Sequence, residues 1–151
     1  MELAVAAIEK GTVIDHIEAG KAFLLIKLFA LDQHPAQITV GLNLPSSGMK
    51  RKDILKVTDW ELTAEESAQI AVFSPRATIN IIRDYRVVEK FPVALPASLP
   101  HLIFCPNSRC ITHREETSRL FYVKQRRSEI QVQCHFCEQC FSHHEIKRYN
   151  L

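Results

Sequence analysis

The apolar positions of the first hundred residues follow two kinds of pattern. Short runs rich in Val, Ile and Thr, "LAVAAI", "GTVIDHI", "QITVGLNLP", "KDILKVTDW" and "ATINIIRDYRVVEK", are bounded by Gly, Pro or polar clusters, which predicts β-strands. Two other stretches have helical spacing. "AGKAFLLIKLFALD" is apolar at Ala22, Phe23, Leu24, Leu25, Ile26, Leu28, Phe29 and Leu31. That stripe is too broad for one face, so it predicts a helix packed on a sheet and also against a second surface, for which a subunit interface is one candidate. "TAEESAQIAVFSP" opens with Thr63 and carries Glu66 three residues later, a capping box, and its helix must end before Pro75. The order strand, helix, strands, helix, strand, with polar turns such as "PSSGMKRK", predicts an α+β fold: an antiparallel sheet of split βαβ, ferredoxin-like type with two helices on one face.

The pattern changes at "FPVALPASLP", residues 91–100, where three prolines stand four apart. Each fixes its own φ and removes a backbone donor, so the stretch cannot continue a helix or a central strand. It reads as a linker lying against protein surface, between a domain of residues 1–90 and a second of residues 101–151.

Beyond it the chemistry is different. All five cysteines lie at or after position 105: "CPNSRC" supplies Cys105 and Cys110, and "CHFCEQC" supplies Cys134, Cys137 and Cys140. Two short-spaced thiol pairs separated by 23 residues have the form of a four-thiolate zinc site, Cys105 and Cys110 with Cys134 and Cys137. Cys140 in place of Cys137 stays open on spacing alone. Between the pairs, "RLFYVKQRRSEIQVQ" alternates around Leu120, Tyr122, Val123, Ile130 and Val132, as a hairpin does. A unit of about fifty residues buries little apolar surface, so such a metal is structural and part of the folding free energy. Four sulfurs also close the coordination sphere, leaving no open position for chemistry.

Composition sharpens this only modestly. With 46% hydrophobic and 24% charged residues the chain is of ordinary globular type. No run approaches the ~18 apolar residues of a membrane helix and no secretory leader is visible, so the cytoplasm, where thiols stay reduced, is the expected compartment. Residues 1–100 carry 11 Lys+Arg against 12 Asp+Glu, and residues 101–151 carry 8 against 5. A net +3 on the last third, with Phe121, Tyr122, Phe136 and Phe141, keeps one alternative in view: a zinc-ribbon nucleic-acid-binding module attached to an α+β domain. No nucleophile motif and no phosphate-binding glycine loop appear, and with only four glycines an enzyme is disfavoured.

"KGTVIDHI", "ITVGLNLPSSGMKRKDILK", "ATINIIRDYRVV" and "CPNSRCITH…CHFCEQCFSHH", in this order and spacing, resemble the regulatory chain of aspartate carbamoyltransferase over essentially the whole sequence. The resemblance implies a noncatalytic subunit with an N-terminal nucleotide effector domain and a C-terminal domain holding one Zn2+ per chain that docks on the catalytic chain. It implies a regulatory-chain homodimer, inhibition by CTP with UTP assisting, and activation by ATP in pyrimidine biosynthesis. The effector site it implies uses Val5, Ala6, Ala7 and Ile8, then Val13, Asp15 and His16, then Lys56, and finally Asn80, Ile82, Tyr85, Val87 and Lys90. Contact at Ala6 would be by backbone. The family pattern selects Cys105, Cys110, Cys134 and Cys137 as metal ligands, leaving Cys140 a free thiol and His135, His143 and His144 in surface or supporting places. Read without the resemblance, His16 is an ordinary satisfied histidine, Lys56 and Lys90 are solvated strand-end charges, and Tyr85 is a sheet aromatic.

Overall fold

A computed structural model describes residues 7–114, 119–127 and 129–149. The chain divides into two compact units, Met1–Ala94 and Leu95–Leu151. In the first, β1 (Gly11–Glu18), α1 (Ala22–Leu28), β2 (Ile38–Ser46), β3 (Lys50–Thr58), α2 (Ala64–Phe73), β4 (Thr78–Arg83) and β5 (Arg86–Pro92) follow in that order. The strands form one antiparallel sheet ordered β2-β3-β1-β4-β5, the split βαβ arrangement with one added edge strand.

Strand alternation explains the two faces. Thr12, Ile14 and Ile17 of β1, Asp53, Leu55 and Val57 of β3, and Ile79 and Ile81 of β4 are buried, as are Ala22 and Leu25 of α1 and Ile70, Ala71 and Phe73 of α2. A strict period of two would send Ile14 and Ile17 to opposite faces. A bulge between them, with His16 at φ 57, returns Ile17 to the core. At the start of β1 a Cβ on Gly11 would stand 2.1 Å from the Val57 carbonyl oxygen, and its φ is 140, so glycine alone fits.

Polar groups hold the ends of these elements. Thr63 and Glu66 form the expected capping box, and α2 stops at Ser74, ahead of Pro75. The other helix is shorter than its apolar stripe: α1 ends at Leu28, and a 3₁₀ turn, Leu31–Gln33, follows. Its side chains divide as the breadth of the stripe predicts, with Leu25 fully buried and Phe23 58% exposed. The carboxylate of Asp53, 1% exposed, accepts backbone N–H groups from Gly20 (3.0 Å), Ala22 (3.2 Å) and Asn43 (2.9 Å). One buried side chain thus ties the entry to α1 and the β2 bulge to the interior strand β3.

"ATINIIRDYRVVEK", read as one strand, is a hairpin. Asp84 (φ 52) and Tyr85 (φ 63) both occupy left-handed conformations, so the chain reverses between β4 and β5, and Tyr85 is 66% exposed at the turn rather than within the sheet. "LAVAAI" falls mostly outside the described residues; Ala7 and Ile8, which are described, have no regular structure. Pro92 ends the edge strand β5 and Pro100 ends the edge strand β6 (Ser98–Pro100), positions where a missing N–H donor is tolerated. The irregular stretch between them is residues 93–97.

The second unit is all-β. Strands β6, β7 (Leu120–Arg126), β8 (Glu129–Cys134) and β9 (Cys140–Ser142) form an antiparallel sheet in sequential order. Leu99, Leu102, Ile103, Phe121, Ile130, Val132 and Ile146 are its buried apolar side chains apart from cysteines, among the described residues. No described helix is long and apolar enough to cross a membrane.

Candidate effector pocket and metal centre

With the helices on one side, the other face of the first sheet is left to build a site. Cross-strand pairing sets its rows: Lys56 lies opposite Val13, Val13 opposite Asn80, and Asn80 opposite Lys90, so these four side chains share the helix-free face. The neighbouring row holds Ile82 opposite Val87. A cavity of about 300 Å³ opens here, lined by Ala7, Ile8, Val13, Asp15, Lys56, Asn80, Ile82, Tyr85 and Val87, together with Ile54. The Tyr85 N–H donates to the Glu9 carbonyl (2.9 Å), which holds the turn against the segment that enters β1.

Of the thirteen effector residues expected from sequence, the structure brings those nine to one cavity. Val5 and Ala6 lie outside the described residues. His16 and Lys90 do not line the cavity itself; Lys90 is in its cross-strand row, and His16 sits in the β1 bulge with Nδ1 3.2 Å from Thr78 Oγ1. Ile54, Lys52 and Thr78 escaped the sequence reading. Alternation along "KDILK" carries the signal for the first two, because Lys52, Ile54 and Lys56 must share a face once Asp53, Leu55 and Val57 are turned inward.

The electrostatics of the pocket centre on Asp15. Its Oδ1 lies 2.8 Å from Lys52 Nζ and accepts the His16 backbone N–H at 2.7 Å. Burial alone would raise its pKa, but the Lys52 ammonium, the His16 N–H and the neighbouring charges outweigh it and hold the carboxyl below its usual value. Lys56 is shifted the other way in charge preference: burial lowers its pKa and Asp15 opposes that only in part. Cationic groups therefore border an apolar-walled cavity.

The metal centre is built from two turns. In the first, Asn107 accepts the Arg109 N–H through Oδ1 (3.1 Å) and the Cys110 N–H through its carbonyl (3.0 Å), which folds Cys105 and Cys110 together. In the second, Glu138 at φ 62 donates its N–H to the Cys134 carbonyl (2.9 Å), and the Cys134 N–H donates to Gln139 (3.1 Å). The Sγ atoms of Cys105, Cys110, Cys134 and Cys137 all lie within 4.8 Å of one another. The Cys105–Cys137 and Cys110–Cys134 separations are 3.7 and 3.8 Å. A regular tetrahedron with arms of ~2.3 Å, the zinc–sulfur bond length, has edges of about 3.8 Å. The cluster fits a metal ion. Cys140 is exposed on β9 and outside it.

Burial pushes the Cys105 and Cys134 thiols up, so without a cation they stay protonated at neutral pH. Burial also opposes ionisation of Cys110, but the Thr112 hydroxyl 3.2 Å from Sγ and the Thr112 N–H outweigh it and lower the pKa. His113 is turned away from the sulfurs, its Nε2 2.8 Å from the Cys105 carbonyl oxygen. His135 pairs through Nδ1 with the Tyr122 hydroxyl at 2.6 Å. His143 is buried with Nδ1 3.4 Å from the Ile130 carbonyl oxygen, and His144 is exposed.

Known families match both units in the order of the chain. Residues 3–94 match the allosteric domain of the aspartate carbamoyltransferase regulatory chain, and residues 98–147 match the metal-binding domain of the same chain. The chain belongs to the aspartate carbamoyltransferase regulatory-chain family. Relatives of that name include those of Proteus mirabilis, 44% identical over 97% of both chains, and Tolumonas auensis, 45% identical over 93% of this chain and 92% of the relative. That of Klebsiella pneumoniae is 46% identical over 96% and 95%. The aspartate carbamoyltransferase regulatory chain is a noncatalytic subunit with an allosteric and a metal-binding domain. A nucleic-acid module joined to an unrelated domain leaves the first match without an explanation.

Proposed function

We propose that this regulatory chain binds nucleoside triphosphates in the cavity on the helix-free face and passes the signal through its metal domain to catalytic chains, in the cytoplasm. CTP inhibits, with UTP assisting, and ATP activates. The observation that carries the reading is the gathering of nine expected residues, Lys56 among them, around one cavity of about 300 Å³. Ile8, Val13 and Ile82 supply apolar walls for the faces of a base, and backbone groups of the irregular segment leading into β1 supply the hydrogen bonds that read its edge. Lys56 reaches ribose or base oxygens, while Lys90 and His16 offset phosphate charge. Contacts from Val5 and Ala6 belong to the same reading.

The ion of the metal domain is Zn2+, one per chain, held by Cys105, Cys110, Cys134 and Cys137. Four thiolates at tetrahedral spacing suit zinc and leave no position open, so its role is structural. Two regulatory chains pair through the apolar surface that includes Phe23, Val40 and Leu42, which are exposed in the single chain. Effector binding then biases a two-state equilibrium of the assembled enzyme. Coupling of this kind is worth ~1–3 kcal/mol between sites and is reciprocal in binding. The test is reconstitution with the cognate catalytic trimer: CTP should lower activity at subsaturating aspartate and ATP should raise it. An assembled enzyme indifferent to both nucleotides sinks the proposal.

A further inference from the structure

Beside the metal cluster the second unit holds a cavity of about 270 Å³ that neither the metal nor the nucleotide accounts for. Phe104, Cys105, Pro106, Ser108 and His113 line it from the first cysteine turn, and Glu145, Lys147 and Arg148 from the C-terminal segment; of the four clustered cysteines only Cys105 borders it. The Phe104 N–H donates to the Arg148 carbonyl (3.1 Å), and Ile103 pairs with Tyr149, so the two segments run side by side. The Phe104 ring is bordered by two guanidinium groups, Arg119 Cζ at 4.1 Å and Arg148 Cζ at 4.5 Å from its centroid.

The charge here is not balanced internally. Among the described residues, Arg119, Lys147 and Arg148 form no ion pair. Among the described residues Glu145 is the only lining carboxylate, and it accepts the Ser142 N–H (2.9 Å) in a capping box. Arg119 is outside the cavity lining and donates through its guanidinium to the His101 carbonyl (3.4 Å), while among the described residues its buried Nε has no acceptor. A π-face stabilises a guanidinium only partly, and cations gathered round one ring repel one another, so a carboxylate supplied from outside would complete the site.

We propose that this cavity receives an acidic side chain of the catalytic chain, held by Lys147 and Arg148 with its alkyl stem against Phe104. The inference rests on the proposed docking of the metal domain and names the chemistry of one anchor within it. The net +3 of residues 101–151, 8 Lys+Arg against 5 Asp+Glu, favours such a partner at long range.

The experiment compares native chain, the double variant K147E/R148E and the single variants K147Q and R148Q in assembly with the catalytic trimer, by sedimentation across a salt series. Charge reversal should weaken assembly on the order of tenfold or more at low salt and flatten its salt dependence, with smaller losses for the glutamine variants. Zinc content and nucleotide binding by the regulatory chain alone should not change. If the double variant fails to hold zinc, the single variants decide. Native affinity and an unchanged salt slope in all of them overturn the proposal. So does loss of salt-sensitive oligonucleotide binding with assembly intact. Failure of the native chain to assemble would instead overturn the docking on which the proposal rests, and is visible without any variant.

Discussion

Replacing Cys134 with serine should unfold the second unit and leave the first standing. Cys134 is 1% exposed, ends β8, and places its sulfur 3.8 Å from that of Cys110. Cysteines apart, seven apolar side chains are buried in this unit among the described residues, and at ~1.5–3 kcal/mol each they contribute on the order of 10–20 kcal/mol before conformational entropy is set against them. A four-thiolate zinc site in a small domain contributes about 10–16 kcal/mol, as much as that whole core. The net stability of a small domain is only a few kcal/mol, so losing one ligand exceeds it. The assay is zinc per chain by atomic emission, with melting followed by circular dichroism in the presence and absence of chelator. Cys134→Ser should lose stoichiometric zinc and one of two melting transitions, as chelator should produce in the native chain. Cys140→Ser should retain one zinc and both transitions. Stoichiometric zinc in the Cys134 variant, or its loss in the Cys140 variant, refutes the ligand assignment.

In the first unit, Asp53→Ala would strand three backbone N–H groups that now share one buried carboxylate. A loss of about 3 kcal/mol, or roughly 10–25 °C in the melting temperature of this unit, is expected, and a melt within 2–3 °C of native would contradict it. Asp15 ionises more readily folded than unfolded, so it binds fewer protons in the native state. Its stabilisation is therefore present above its ordinary value of 3.8 and lost as pH falls below that. Asp15→Asn should be less stable than native at pH 7, with the gap closing as the pH is lowered to 3 in denaturant titrations; a constant gap counts against this. Lys56 is charged against a burial penalty, so Lys56→Gln should melt no lower than native while binding nucleotide more weakly in calorimetric titration. Unchanged nucleotide affinity would remove Lys56 from the site.

Much of this architecture is legible in the sequence because local and global signals agree. The Thr63–Glu66 box and Pro75 bracket α2 as they should, and the cysteine spacing anticipates the cluster of sulfurs. The hairpin at Asp84–Tyr85 is not legible, because its two left-handed residues are neither Gly nor Asn and the flanking alternation runs on through them. The break after Leu28 is hidden for a related reason, since the apolar run continues to Leu31 although the chain leaves the helix. Lys52 was within reach: strand period alone puts it on the face of Lys56, but its pairing with Asp15 depends on the β1 bulge, a tertiary feature without a sequence signal of its own. The anchor cavity likewise needs residues 104 and 148 to run side by side, a contact that no spacing predicts.

The central claim is that one cavity on the helix-free face takes nucleotides of opposite effect and that its occupancy is felt by catalytic chains. The most direct measurement is a titration of ATP, CTP and UTP against the enzyme reconstituted from this chain and its catalytic trimer, run in parallel with a variant in which Lys56 and Lys90 are both glutamine. Activation by ATP and inhibition by CTP in the native assembly, both shifted to higher concentration in the variant, is the predicted result. Nucleotide responses identical in the two assemblies would contradict it.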